Sequence, residues 1–314
     1  RFDFTVGLTR YATSQKNLKL PAKFSSFGGV WRYDEPQKGR YRFFHQWNIE
    51  TFGNLNVEYD AEIIEFTSRF FDKLTLQNIT IDINHRKLVE SYVNKIMSKF
   101  KSYKELPPIL AVDVFRAIDK MGKKPKEKIL EEYEKKGMNL DILEQVLDFA
   151  NCKGTPEEIE KSFDTSELDS WDELCTLYNS LKNRGVDNVR INFGIVRGLD
   201  YYTDIVFEVF DTTSDMGALV GGGRYDSLLS KFGRNDLGAT GAAGGIERII
   251  LCLDAQGISC TTSNDTVSVV YVNDELKPHA IHCASKLRKL GVIVNIDLTG
   301  KSLKKQMENS SNSK

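Results

Sequence analysis

Arg32 to Gln46, RYDEPQKGRYRFFHQ, is the stretch on which the fold turns. It lies between two runs that read as strands, FGGVWRY and YRFFHQWNI, and Pro36 and Gly39 supply turn chemistry, so a β-hairpin is predicted. Four cations (Arg32, Lys38, Arg40, Arg42) and two carboxylates (Asp34, Glu35) exceed what a turn requires. Side chains alternate faces along a strand. If the second strand is regular from Arg40 to Glu50, then Arg40, Arg42, Phe44, Gln46 and Glu50 share a face. Arginine forks suit phosphate oxygens, a flat aromatic suits a base, and Gln with Glu suits an ammonium or an imidazole N–H. A solvent-facing hairpin with surface ion pairs would use the same residues, and this stretch alone leaves both readings open.

Outward from the hairpin, residues 1 to about 84 alternate strand-like runs (DFTVGL, FSSFGGVWRY, FFHQWNIETFG, ITIDIN) with one helical segment, YDAEIIEFTSRFFDKL. From about His85 to Arg184 the chain becomes helical and charged, with no strand-like alternation, and reads as an inserted helical module. Strand signals return in VDNVRINFGIVRG and YYTDIVFEVF, followed by glycine-rich turns and the helix GIERIILCLDAQG. After TTSND come TVSVVYVN, a helix over about 278–290 and the strand VIVNIDL, which together open a βαβ unit.

At 314 residues and 40% apolar, the chain can build two or three cores. No run of about eighteen apolar residues occurs and no signal-peptide pattern opens the chain, so a cytoplasmic protein is expected, of which this chain is a fragment. The five cysteines form no CxxC pair, and His279, His282 and Cys283 lack a fourth ligand, so no structural metal and no disulfide framework is expected. A net charge of −1 counts against non-specific DNA binding and leaves room for a shaped RNA partner.

Three further stretches carry chemistry. In GIVRGLDYYTDIVFEVF (194–210), Arg197 sits in a glycine-flanked turn before a strand bearing Tyr201 and Tyr202, where it can point into a cleft or cap a carbonyl. GGGRYD (221–226) lacks the spacing of a phosphate loop and reads as a close-packed turn. In GATGAAGGIERII (238–250), tiny residues precede a helix with Arg248 in its first turn, a setting that favours phosphate. Its GxxGxxGG spacing does not match the dinucleotide fingerprint.

Taken together, these blocks resemble class II aminoacyl-tRNA synthetases: RYDEPQKGRYRFFHQ is similar to their motif 2 and GAAGGIERI to their motif 3. VRGLDYYTDIVFE and GGGRYD resemble the two signature blocks of the histidyl-tRNA synthetase family. The resemblance implies an α+β fold, an antiparallel-sheet catalytic core with a helical insertion. It divides the chain into 1–84 (core, first part), 85–190 (helical insertion), 191–259 (core, second part) and 266–314 (the start of an α/β anticodon-binding domain, cut short), without motif 1.

The implied activity is activation of L-histidine with ATP to histidyl-adenylate and transfer to tRNA(His), by a homodimer, with Mg2+ accompanying ATP and no membrane or DNA partner. By resemblance, Arg32 holds the ATP α-phosphate and the histidine carboxylate region, Arg40 reaches the β and γ phosphates, and Phe44 stacks on adenine with Arg248 over its other face. Asp34 stands where the family often has Glu beside adenine. Asp3, Thr5 and Gln46 match the positions that bind the α-amino group, Glu50 and Tyr202 those that read the imidazole, with Tyr201 beside them. Arg197 matches an arginine that serves the α-phosphate region, and Arg32 and Arg197 carry the catalytic assignment. The rival readings are a histidine-binding regulatory paralogue of ATP phosphoribosyltransferase and a tRNA-sensing module of a stress kinase. The anticodon-domain start argues against the first. Retained Arg32, Gln46, Arg197 and Arg248 argue against the second.

Overall fold

The computed structural model describes residues 1–100, 111–118, 120–121, 124–166, 168–196, 201–258 and 266–311, in two compact units, Arg1–Ile258 and Ser259–Lys314. In chain order the first unit runs α1 (Thr5–Ser14), β1 (Ala22–Trp31), β2 (Phe43–Gly53), α2 (Val57–Lys73), β3 (Ile79–His85), α3 (Arg86–Phe100), α4 (Ala111–Ile118), α5 (Lys126–Glu134), α6 (Leu140–Ala150), β4 (Lys153–Gly154), α7 (Pro156–Ser162), α8 (Trp171–Asn183), β5 (Val189–Asn192), β6 (Ile205–Asp211), β7 (Val220–Arg224), α9 (Asp226–Lys231), β8 (Gly238–Gly245) and α10 (Ile246–Ala255).

Its strands form one sheet in the order β1-β2-β8-β7-β6-β3-β5-β4. Every neighbouring pair is antiparallel except β3 and β5, which run parallel. A parallel pair needs a crossover, and the helical stretch supplies it, ending in α8, which packs on α2 and leads into β5. Within the stretch expected to be wholly helical lies the two-residue strand β4, too short to show alternation, which adds to β5 at the sheet's edge.

Asn56 caps α2 by accepting from the Glu58 N–H, and the helix buries Ala61, Ile64 and Phe71. The Trp47 ring from β2 meets Phe66 and Phe70 of α2, with centroids 6.3 and 5.1 Å apart. Trp47 is only 9% exposed, and burying an aromatic side chain is worth roughly 1.5–3 kcal/mol, so one face of β2 is held against α2. The opposite face is left for polar side chains.

Four expectations need correction. DFTVGL is not a strand: residues 5–14 form α1, because Phe4, Leu8 and Ala12 recur at helical spacing, with Phe4, Thr5, Thr9 and Ala12 buried while Phe2 and Val6 are exposed. The strand of the hairpin begins at Phe43 rather than Arg40, since a Gln37–Arg40 bridge closes the turn first. Tyr201 and Tyr202 precede β6, which starts at Ile205. The glycine-rich segments expected to be turns are the strands β7 and β8 at the centre of the sheet.

The glycines of those strands are there for close approach. A Cβ on Gly222 would overlap the Phe207 ring and the Gly241 carbonyl, and one on Gly241 would overlap the Glu50 carboxylate. Sequence propensity disfavours glycine in strands, and packing overrides it here.

The second unit carries β9 (Thr266–Val269), α11 (Lys277–Lys289), β10 (Ile293–Ile296) and α12 (Leu303–Ser311), with β9 and β10 parallel, as a βαβ opening requires. Buried Gln306 ties α12 inward: its amide accepts from the Tyr271 N–H at 3.1 Å and donates to the Tyr271 and Lys301 carbonyls at 3.0 and 2.7 Å.

Candidate active site

The polar face of β2 follows from the two-residue period: Phe44, Gln46, Asn48 and Glu50 project to one side. Three of them form a hydrogen-bonded row. Arg32 Nη2 donates to Gln46 Oε1 at 3.0 Å, Gln46 Nε2 to Asn48 Oδ1 at 2.7 Å, and Asn48 Nδ2 to Glu50 Oε1 at 3.0 Å. Gln46, Asn48 and Glu50 are each no more than 3% exposed, so the row runs from a half-buried guanidinium to a fully buried carboxylate.

Two more donors converge on Glu50. Thr5 Oγ1, at the start of α1, donates to Oε1 at 2.7 Å, and the Tyr225 hydroxyl, just after β7, donates to Oε2. The Tyr201 and Tyr202 rings stand beside Tyr225, with centroids 5.8 and 6.4 Å from it. Burial pushes the Glu50 carboxyl up to about 7 against these three hydrogen bonds, which favour its charged form. The same burial, together with the Glu50 charge, holds the Tyr225 phenol well above its ordinary value.

A stability prediction follows. Between pH 4.5 and about 7 the folded chain keeps a Glu50 proton that the unfolded chain has released, so this group's contribution is complete below pH 4.5 and is lost as pH rises through 7. The urea midpoint of the wild type should therefore fall relative to Glu50→Gln across that window. A constant difference would show that Glu50 titrates normally.

At the other end of the row stand three guanidinium groups. Arg32 Cζ lies 5.2 Å from the Phe44 ring centroid. Arg40 Nε pairs with Asp34 Oδ2 at 3.4 Å on the exposed hairpin tip. Arg248, in the first turn of α10, donates from Nε to the Gly39 carbonyl and from Nη1 to the Ala218 carbonyl, both at 2.6 Å. Its pKa is lowered by burial and then by Arg40 and Arg32, so the three cations repel one another in a field that a polyanion would relieve. Glu247 anchors the start of α10 to the hairpin by accepting from the His45 N–H at 2.9 and 3.0 Å.

The structure thus brings Thr5, Arg32, Gln46 and Glu50 into one network, places Phe44 and Arg248 beside it, and sets Tyr201 and Tyr202 around Tyr225. Asp3 is half-buried and accepts from the Val6 N–H at 3.4 Å, a helix-start contact outside the row. Arg197 lies outside the described residues. Asn48 and Tyr225 belong to the network although the sequence alone does not single them out. The two-residue period that selects Gln46 and Glu50 also selects Asn48, whereas Tyr225 is hidden in a segment that reads as a turn.

A family model described as histidyl-tRNA synthetase matches residues 1–249. Histidine–tRNA ligase of Pyrococcus furiosus is 35% identical over 98% of this chain and 71% of its own length. That of Thermococcus kodakarensis is 34% identical, with the same coverage. Among solved structures, histidyl-tRNA synthetase from a Nostoc species superposes with a TM-score of 0.80 at 25% identity, covering 99% of this chain and 73% of that one. A Bacillus halodurans protein described as an ATP phosphoribosyltransferase regulatory subunit/histidyl-tRNA synthetase reaches 0.76 at 22% identity over 99% and 77%, a likeness of fold alone.

Proposed function

The chain belongs to the histidyl-tRNA synthetase family and is an aminoacyl-tRNA ligase for histidine; from that premise we propose which of its residues do the work. The observation that carries the assignment is the polar row from Arg32 to Glu50, closed by Tyr225 at one end and flanked by arginines at the other. Such a row suits an amino acid laid along it, its imidazole toward Glu50 and Tyr202, its α-ammonium toward Gln46, Thr5 and Asp3, and its carboxylate toward Arg32.

The family uses ATP. We assign the base to Phe44 with Arg248 above it and Asp34 nearby, and the β and γ phosphates to Arg40 and Arg248. Mg2+ enters with ATP as part of the substrate, because the triphosphate charge requires it. The histidine carboxylate attacks the α-phosphorus in line, pyrophosphate leaves, and the terminal ribose hydroxyl of tRNA then takes the histidyl group from the adenylate. Positioning and charge stabilisation suffice for both steps, so no side-chain nucleophile is needed.

Arg197 is assigned to the α-phosphate region. Arg197→Ala should slow single-turnover adenylate formation by roughly 10²-fold or more, the scale for removing one preorganised donor. A wild-type rate would remove it from the mechanism.

From family membership we further infer a homodimeric, cytoplasmic enzyme, with residues 85–190 as an insertion and 266–314 opening the anticodon-binding domain. The parallel β9–α11–β10 unit supports the last assignment. The deciding experiment is histidine-dependent ATP–pyrophosphate exchange, with the other amino acids as controls. Exchange with histidine alone is expected. Tight histidine binding without exchange would favour a regulatory paralogue instead.

A further inference from the structure

Asn48 carries no charge and is only 1% exposed, yet among the described residues it is the side chain that joins Gln46 to Glu50 in the row. An ionised carboxylate only accepts hydrogen bonds, so with Glu50 charged Asn48 turns its NH2 toward it, where Nδ2 lies 3.0 Å from Oε1 and 3.2 Å from Thr5 Oγ1. Its Oδ1 then faces Gln46, at 2.7 Å from Nε2. Gln46 is forced in turn to direct its own NH2 inward and its Oε1 toward the cleft. An ammonium, which only donates, needs an acceptor in that place; a flipped Gln46 amide would meet it with N–H groups. Arg32 also donates to Oε1, but Arg32 is half-buried at the cleft edge and is assigned to substrate anions, whereas Asn48 is wholly inside.

We propose that Asn48 is a positioning residue that transmits the acceptor character of Glu50 to Gln46, fixing the Gln46 carbonyl outward and so selecting for the α-ammonium of the amino-acid substrate. This rests on the assignment of Gln46 to the α-ammonium. In the relay, one charge at the imidazole end of the site sets the hydrogen-bond polarity at the backbone end of the same substrate.

The test compares histidine with 3-(imidazol-4-yl)propionate, which is histidine without its amino group. Pyrophosphate exchange gives KM for histidine and for ATP, and inhibition of that exchange gives Ki for the propionate. In Asn48→Ala, KM for histidine should rise about 10-fold or more, the scale of one hydrogen bond to a charged group, while Ki for the propionate and KM for ATP stay near wild type. The near-isosteric Asn48→Leu, which keeps most of the volume and removes the acceptor that faces Gln46, should shift the same ratio in the same direction and serves if the alanine variant does not fold. Equal weakening of histidine and the propionate would mean that Asn48 merely supports the site, and no change in either would mean that it does not orient Gln46; both overturn the proposal. Gln46→Ala separates the two levels. If it also leaves the ratio unchanged, the α-ammonium assignment fails and takes the relay with it; if it alone collapses the ratio, only the relay fails.

Discussion

Glu50→Ala is expected to reduce kcat/KM for histidine by roughly 10⁴-fold, the discrimination typical of a site whose buried polar groups are left unpaired, with KM for ATP close to wild type. The reason lies in the donors left behind. Thr5, Asn48 and Tyr225 all direct hydrogens at this carboxylate from within a closed interior, and an alanine side chain offers them no acceptor. Glu50→Gln is a milder probe that keeps the shape and accepts through one oxygen only. Unchanged histidine activation in the alanine variant would dismiss Glu50 as the imidazole partner.

The second large effect is on stability. Arg224, in the block GGGRYD, points away from the substrate cleft and into the protein, where its guanidinium binds Asp60 of α2 and donates to the Leu55 and Asn56 carbonyls at 3.2 and 2.8 Å. Asp60 is 1% exposed, and burial raises its pKa even with the arginine beside it. Arg224→Ala would strand that carboxylate together with two carbonyls, at a cost of about 3–5 kcal/mol. For a unit of this size the melting temperature should drop by on the order of 10 °C. The double variant Arg224→Met with Asp60→Leu should recover much of the loss, because no charge is then buried without a partner. A melting temperature within a degree or so of wild type in the single variant would show that the pair is not structural.

Much of the fold is legible in the sequence because the hairpin, α2 and the βαβ opening obey their local periods. The bounds of α2, for example, fall at Val57–Lys73, close to the segment YDAEIIEFTSRFFDKL picked out by its helical spacing. The failures share a physical cause. In β7 and β8 glycine's low strand propensity conceals a central position in the sheet, which only the neighbouring Phe207, Trp47 and Glu50 explain. At the N-terminus, aromatic and aliphatic residues happen to alternate, and the four-residue recurrence of Phe4, Leu8 and Ala12 sits in the same letters. Within the site, residues that a motif position singles out are visible, and the two connectors that none singles out are not. Asn48 and Tyr225 matter through their partners, which a linear reading does not supply.

The glycines of β7 and β8 also limit how the enzyme can diverge. Hydrogen atoms already stand where the Cβ atoms of Gly223 and Gly241 would otherwise crowd Tyr202 and Glu50, so mutation at these positions can only add bulk. Variants selected to charge a larger amino acid would have to find room by trimming tyrosines or shifting α1, never by cutting back the floor of the cleft. On the site assignment proposed above, directed evolution of this scaffold toward new substrates is thus channelled toward the side that holds Tyr201, Tyr202 and Thr5.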